Sequence, residues 1–235
     1  MKETICTIPI NDIFNLHDGC PFCRMYEMLE RQYATFITGS AMMDPETRVA
    51  TNKKGFCPRH FEKIVEVGKR LPVALILETH LAHIQEEILP KKAGKPDKKT
   101  LAKVDEITES CYICDRIQFD IQHFLQTVFV EWVNSEEFRE LYKSQDFICM
   151  RHYTEVMKYA SAKMPAKYLS AFHEDTLKLT RGYLDTLKAD TTHFCRMFDY
   201  QNRGADWGNS KDAIERDINF LSGYHDRNRQ EPENK

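Results

Sequence analysis

The chain has 235 residues, of which 42% are hydrophobic, and a formal net charge of −3. It is long enough for one large domain or two small ones, and its balanced charge excludes a general nucleic-acid-binding surface, which would carry a strong basic excess. The first twenty residues lack a secretory signal pattern, and the longest apolar stretch, residues 73–77, is far too short to cross a bilayer. We therefore expect a cytoplasmic protein without nucleic-acid or membrane partners. The sequence does not identify its partner, and a protein partner is left open.

The first 89 residues contain two pairs of metal-ligand residues. Cys20 and Cys23 form a CPxC motif, and Cys57 and His60 form a CxxH motif that follows Gly55, a residue suited to a tight turn. Apolar side chains at helical spacing predict one helix after the CPxC motif and another after Pro72, at Met25, Leu29, Phe36, Val73, Leu77, Leu81, Ile84 and Ile88. Pro45 and Pro72 suit first helical turns. A short strand is predicted over residues 4–10.

Residues 90–100 are predicted to form a solvated linker, because they contain two prolines, a glycine and five lysines. The ligand pattern then returns, with Cys111 and Cys114 in a CxxC motif and Cys149 and His152 in a CxxH motif. Helical spacing follows the second CxxC, and Pro165 is predicted to open the last long helix of this copy. Each copy is expected to contain two or three helices, with the ligands at the helix starts.

The two stretches indicate an internal duplication. Cys23 and Cys57 are 34 positions apart, and Cys114 and Cys149 are 35 apart. The neighbours of the ligands also match, since Arg59 corresponds to Arg151, Phe61 to Tyr153, and the pair Glu46 and Arg48 to Glu137 and Arg139. Chance rarely supplies so many matches in register, so the repeat is a real feature of the chain.

Each copy supplies three thiols and one imidazole, which is the donor set of a closed tetrahedral zinc site. Because the spacing repeats almost unchanged, we expect each copy to be a self-contained binding unit, which predicts two zinc ions per chain. One ion is assigned to Cys20, Cys23, Cys57 and His60, and the other to Cys111, Cys114, Cys149 and His152. An iron–sulfur cluster is the alternative cofactor, since Cys3His sets hold some of those clusters too.

Three other candidate sites are weaker. The CPxC motif looks like the redox motif of glutaredoxins, but that fold requires a preceding strand in a βαβ context, whereas the chain after this motif is predicted to be helical, and the second copy lacks the proline. His80, His83 and Glu87 share one helix face, as half of a dinuclear site would, but no partner motif is present. Cys6 and Cys195 lie outside the repeat and are expected to be free thiols.

The segment 189–223 departs from the repeat. It is rich in polar and aromatic residues that include Asp199, Tyr200, Arg203, Asp206 and Trp207. These residues either line a polar enzyme site, with zinc purely structural, or belong to a capping element that docks on the helices. The cap is the favoured interpretation, with Trp207 and Phe198 as its anchors. Residues 224–235 are polar and predicted to be disordered.

Several of these motifs resemble the signature of an uncharacterised bacterial family, a domain of unknown function. The resemblance is carried by ETRVATNKKGFCPRH at residues 46–60, by the early CPxC, by the second CxxC and CxxH, and by Asp199, Tyr200, Arg203, Trp207 and Gly208. It covers the chain from about Thr7 to Gly223. The resemblance supports the architecture and implies no activity.

The sequence thus predicts an all-α protein of duplicated helical units, each organised around a Cys3His metal site. The predicted segments are a first repeat at 1–89, a linker at 90–100, a second repeat at 101–188, a capping element at 189–223 and a tail at 224–235. The predicted function is that of a zinc-binding structural or regulatory scaffold. The alternatives are an iron–sulfur or thiol redox protein, and an enzyme with a polar site between Asp199 and Trp207. No residue is assigned a catalytic role.

Overall fold

The structure, a computed structural model, describes residues 7–92, 94–95 and 97–223. Within this part of the chain there are eleven α-helices and no β-strand, which confirms the predicted all-α class. The helices are α1 (Ile8–Phe14), α2 (Pro21–Ile37), α3 (Pro45–Lys54), α4 (Pro58–Glu66), α5 (Arg70–His83), α6 (Lys98–Glu109), α7 (Tyr112–Asn134), α8 (Glu136–Lys143), α9 (Met150–Lys163), α10 (Ala166–Arg196) and α11 (Ala213–Ser222). A π-helical turn, Ile84–Ile88, extends α5. None of the described helices is both long and apolar enough to span a bilayer.

The duplication is visible in the order of the helices. Helices α2, α3 and α4 of the first copy begin 91 or 92 residues before α7, α8 and α9 of the second. In each copy, α1–α5 and α6–α10 respectively, there are five helices rather than the two or three expected. Several of these helices are short, and α3 also lacks a strong apolar stripe. Its start is fixed instead by Asp44, whose carboxylate accepts the Thr47 N–H at 2.9 Å, and by Pro45 in the first turn.

The strand predicted at 4–10 is wrong for the residues that the structure describes. Ile8 to Ile10 form the first turn of α1, with Pro9 near its start, where a missing N–H costs no hydrogen bond. Residues 4–6, which include Cys6, lie outside the described residues, as does the tail 224–235.

The chain divides into two compact units, and the division falls inside α2 and inside α7. The central unit comprises residues 26–122. The terminal unit comprises residues 7–25 together with 123–223. Each unit therefore combines the CxxC motif of one copy with the CxxH motif of the other.

In the central unit, α3 packs on α5 and α6, and α4 packs on α5. The buried apolar side chains are those of Leu29, Ala34, Ile37, Ala41, Phe56, Ile64, Val73, Ile76, Ile113, Ile117 and Ile121. Arg48, from the duplicated Glu-x-Arg pair, donates to the carbonyl oxygens of Met42 at 3.1 Å and Leu75 at 2.8 Å, and so links α3 to α5. These contacts fix the turn that leads into Cys57.

In the terminal unit, α10 packs against α8, α9 and α11. Its core is aromatic: Phe14 lies 5.1 Å from Phe138, and Tyr142 lies 5.3 Å from Phe172, between ring centroids. The Tyr142 hydroxyl is fully buried and makes a 2.8 Å hydrogen bond with the Thr176 hydroxyl, as burial of a phenol requires. This core supports the segments that carry Cys20 and Cys149.

Helix α11 docks on α9 and α10 through Phe220, which is fully buried against the rings of Phe147 and Tyr183. The prediction that Phe198 anchors the capping element is wrong, because 72% of the surface of this residue is exposed. Trp207 is half-buried and packs on Phe198 at a ring distance of 5.7 Å, so these two rings contact each other at the surface.

Candidate metal centres

The eight predicted ligands lie in two groups of four. In each group the potential ligand atoms all lie within 4.8 Å of one another. The terminal cluster consists of Cys20, Cys23, Cys149 and His152. The central cluster consists of Cys57, His60, Cys111 and Cys114. The predicted pairing within each copy is therefore wrong, since each CxxC motif meets the CxxH motif of the other copy.

Hydrogen bonds outside the motifs explain why each CxxC motif meets the CxxH motif of the other copy. In the central unit, the Tyr112 N–H donates to the Gly55 oxygen at 3.0 Å, and the Ser110 hydroxyl donates to the Lys54 oxygen at 2.8 Å. These bonds attach the start of α7 to the turn before Cys57. In the terminal unit, the buried Gln145 amide donates to the Phe14 oxygen at 2.7 Å, which joins the loop before Cys149 to the segment before Cys20.

All four ligand pairs lie at helix N-termini, as predicted. Each leading cysteine directly precedes its helix, and its carbonyl accepts the N–H four residues later, at 3.3 Å for Cys20, 3.0 Å for Cys57, 3.1 Å for Cys111 and 2.8 Å for Cys149. The two N-cap cysteines of the CxxH motifs share one backbone conformation, with φ −70° and ψ 163° at Cys57 and φ −69° and ψ 159° at Cys149. The helix dipole and the free N–H groups favour thiolates at these positions.

The sulfur–sulfur distances match those of ligands around a single tetrahedral ion, whereas most sulfur–nitrogen distances are a few tenths of an ångström shorter. Zinc–sulfur bonds of about 2.3 Å give a sulfur–sulfur edge of about 3.8 Å, and a shorter zinc–nitrogen bond gives a sulfur–nitrogen edge of about 3.6 Å. Cys23 Sγ lies 3.7 Å from Cys149 Sγ, and Cys57 Sγ lies 3.8 Å from Cys114 Sγ. Sulfur-to-Nδ1 distances are 3.2–3.7 Å in the terminal cluster and 3.2–3.3 Å in the central one.

Both imidazoles turn Nδ1 towards the sulfurs and Nε2 towards a glutamate. His60 Nε2 lies 3.8 Å from Glu30, and His152 Nε2 lies 3.9 Å from Glu155. Glu30 is buried and also binds Arg59 at 2.7 Å. At 3.8 Å the Glu30 carboxylate is beyond hydrogen-bond distance of His60 Nε2, so it favours the ligating imidazole through its charge. Sequence reasoning missed both glutamates: Glu155 follows His152 by one helical turn, but Glu30 has no signal near its histidine.

The electrostatics of the clusters favours a cation at each centre. In the terminal cluster, contacts with Cys149 and Cys20, together with burial, raise the pKa of the Cys23 thiol above its usual range. Burial would lower the pKa of His152, but the sulfurs of Cys149 and Cys20 raise it to about 10. The three thiols therefore cannot all ionise beside one another without positive charge, and a divalent cation supplies it.

The pKa values of the histidine and the thiols in the central cluster are shifted for similar reasons. Burial would lower the pKa of His60, but Cys111 and Glu30 raise it to about 9. Burial would raise the pKa of Cys111, but His60 and the backbone N–H groups of Cys114 and Cys57 lower it to about 6. Cys114 is an exposed residue, but partial desolvation of its thiol and the neighbouring sulfurs of Cys111 and Cys57 still raise its pKa in the absence of a cation. One thiolate is thus favoured over the others until a cation balances all three.

The remaining candidate residues lie apart from these clusters. Within the described part of the chain, His80, His83 and Glu87 form no metal-ligand group. His80 is buried, and its Nδ1 lies 2.9 Å from the Asn52 oxygen, so it holds the C-terminal end of α3. Cys195 is a free, exposed thiol on α10.

The segment between Asp199 and Trp207 lies at the surface of the terminal unit. The Asp199 carboxylate accepts the Gln201 N–H at 3.0 Å and closes a short turn, while 83% of Tyr200 is exposed. The Asp199 contact closes a local turn, and none of the described side chains of this segment belongs to either cluster.

Comparison with known proteins identifies a family for this chain but assigns it no activity. A family model described as "Family of unknown function (DUF6062)" matches residues 1–228. The chain belongs to this family. A curated relative, the "Uncharacterized 23.9 kDa protein in xynA 3′region" of Caldicellulosiruptor sp. (strain Rt8B.4), is 23% identical over 177 residues, which cover 73% of this chain and 81% of the relative. No solved structure gives a significant match. The resemblance to an uncharacterised family is confirmed, and the function rests on the chemistry of the clusters.

Proposed function

We propose that each cluster binds one zinc ion and that this DUF6062 protein is a metal-stabilised helical scaffold. The observation that carries the proposal is the spacing of the ligand atoms, since sulfur–sulfur distances of 3.7 and 3.8 Å are edges of a tetrahedron around a single ion. Three thiolates and one imidazole are a donor set that zinc prefers.

A structural role follows from the number of ligands. Four protein side chains complete the tetrahedron in each cluster, so no coordination position is left for a substrate or a reactive water. Each ion would fasten two helix N-termini that are far apart in sequence, such as those of α2 and α9. Structural zinc sites contribute on the order of 10 kcal/mol to folding, which is comparable to the whole stability of a domain.

An iron–sulfur cluster, the alternative cofactor, fits the observed distances between the sulfurs less well. Such a cluster contains several iron and sulfide atoms between its ligands, so its cysteines must stand further apart than ligands that share one ion. The close spacing of the sulfurs supports a mononuclear site. A glutaredoxin-like dithiol is also disfavoured, because Cys20 and Cys23 lie beside a third thiol and a histidine on helices, with no strand before them among the described residues.

Elemental analysis of anaerobically purified protein tests the proposal. We expect two zinc ions per chain and a colourless protein. Replacement by cobalt should give the intense visible bands of tetrahedral thiolate coordination at both sites. A brown protein with iron and acid-labile sulfide would contradict the zinc assignment. Less than one metal ion per chain would contradict metal binding altogether.

A further inference from the structure

The two clusters differ in how far solvent reaches their sulfurs. In the terminal cluster every ligand is buried, and Cys20, Cys23 and Cys149 are each at most 5% exposed. In the central cluster Cys111 and His60 are buried, but Cys57 is half-buried and Cys114 is exposed. The two accessible sulfurs, Cys57 and Cys114, are also neighbours, 3.8 Å apart.

The C-terminal end of α11 accounts for the sealed terminal cluster. Gly223, the last described residue, adopts φ +67° and places its carbonyl oxygen 3.7 Å from Cys23 Sγ. It approaches so closely that a Cβ at this position would lie 3.4 Å from Cys149 Sγ and 3.3 Å from the Arg151 side chain. Helix α11 follows the second copy and has no equivalent after the first. There, among the described residues, α5 and its π-turn lead on to α6.

We propose that the central cluster is an exchangeable, oxidant-sensitive metal site, in which a peroxide converts Cys57 and Cys114 to a disulfide, while the terminal cluster retains its ion. This inference rests on the proposed zinc binding. It assigns different roles to the two sites. The metal site of the terminal unit is permanent and structural, and the metal site of the central unit responds to oxidants.

The chemistry balances with a peroxide as the oxidant. The exposed Cys114 thiolate attacks one oxygen of hydrogen peroxide, the O–O bond breaks, and a sulfenic acid and hydroxide form. The Cys57 thiolate then attacks the Cys114 sulfur, the S–O bond breaks, and a second hydroxide leaves. Two electrons pass from the sulfurs to the peroxide, and two protons convert the hydroxides to water. Cys111 and His60 remain as only two of the four ligands, too few for a closed site.

The geometry permits this disulfide with little movement. A sulfur–sulfur bond is about 2.05 Å long, so two sulfurs 3.8 Å apart need only small side-chain rotations to bond. The terminal pair, Cys23 and Cys149, is equally close at 3.7 Å but buried. Because oxidation of a thiolate depends on access, burial rather than distance separates the two clusters.

Zinc release from the full-length protein tests the proposal. A parent protein with Cys6→Ser and Cys195→Ser retains the six cluster cysteines and removes the two thiols outside them. It is loaded with zinc, shown to contain two ions per chain, and treated with hydrogen peroxide in the presence of a colorimetric zinc indicator. We expect rapid loss of one ion per chain and slow loss of the second. Peptide mapping at the end of the rapid phase should find a disulfide between Cys57 and Cys114, and dithiothreitol with zinc should then restore the ion that was lost rapidly.

Two matched variants show which cluster gives the rapid phase of zinc release and which gives the slow phase. Cys57→Ser should abolish the rapid phase and leave the slow one, whereas Cys149→Ser should do the reverse. The mapping on the parent protein decides the question even if a variant fails to fold. Release of both ions at one rate, or a rapid-phase disulfide among Cys20, Cys23 and Cys149, would overturn the inference and leave zinc binding intact. A protein that never binds two zinc ions would instead overturn the proposed function.

Discussion

Gly55 occupies a backbone conformation that holds the central cluster in place. Its φ of +57° and ψ of −155° lie in a region that is essentially restricted to glycine, and its carbonyl accepts the Tyr112 N–H. A Cβ at this position would lie 2.9 Å from His80 Nε2. We expect Gly55→Ala to lower the free energy of unfolding by about 1–3 kcal/mol, measured by urea denaturation with zinc present.

Gly182→Ala is the matched control for that substitution. Gly182 lies within α10, and nothing lies within 4 Å of the position of its Cβ. Alanine should therefore stabilise the protein by about 0.5–1 kcal/mol through its better helix propensity. Equal effects of the two substitutions would contradict the role assigned to Gly55.

Glu30 is the residue that most directly supports a ligand from outside the cluster. It faces the outer nitrogen of His60 and is held by Arg59. Burial would raise the pKa of its carboxyl, but His60 and Arg59 lower it, so the group carries the charge that a ligating imidazole prefers. Loss of such a partner typically weakens metal binding by about 10–100-fold.

We accordingly expect Glu30→Gln to reduce zinc affinity at the central site by about 10–100-fold, measured by competition with a chelator. The terminal site provides an internal comparison in the same molecule, because its histidine faces Glu155 instead. A uniform loss of affinity at both sites would indicate general destabilisation and contradict this role.

At the scale of the helices, α11 buries one large apolar side chain in the terminal unit, and its Arg216 and Asp217 also bond to Asp190 and Thr191 on α10. Phe220 is fully buried against Phe147 and Tyr183, whereas 63% of the adjacent Leu221 is exposed. Phe220→Ala should cost about 3–5 kcal/mol of stability because it leaves a cavity. Leu221→Ala should change stability by less than about 0.5 kcal/mol.

The same two variants test whether α11 protects the terminal cluster from solvent and chelators. If α11 covers Cys23 and Cys149, Phe220→Ala should increase the rate at which a chelator removes the terminal ion, and Leu221→Ala should not. Thermal denaturation and chelator kinetics measure the two effects separately. A destabilised Phe220→Ala protein whose terminal ion is released no faster would show that α11 does not protect it.

The positions of the helices could be predicted where local signals were strong. The CxxC and CxxH motifs predicted the helix starts, and Pro165 directly precedes α10 as expected. Pro45 correctly indicated the start of α3, but the Asp44 side chain that caps this helix was not recognised, and α3 has no apolar stripe to predict its length. Burial of Phe220 rather than Phe198 was not predicted, because the contacts of α11 with α9 and α10 decide which phenylalanine is buried, and those contacts join residues distant in sequence.

At the scale of the whole molecule, the sequence revealed the ligands but not their partners. Equal spacing in two copies suggested a self-contained unit, and an exchanged arrangement produces the same spacing. The exchange depends on contacts distant in sequence, such as Tyr112 with Gly55 and Gln145 with Phe14. A backbone carbonyl leaves no trace in the residue type that bears it, so no single-sequence pattern could have identified these bonds.

The most direct test of the account is the zinc content of two double variants, measured by native mass spectrometry. The chelator concentration is chosen so that the parent protein keeps both ions. Cys57→Ser with Cys111→Ser removes two ligands from the central cluster alone, so we predict one ion per chain. Cys20→Ser with Cys57→Ser removes one ligand from each cluster, so we predict none. The reverse result, no ion in the first variant and one in the second, would show that each copy binds its own ion and contradict the exchanged clusters.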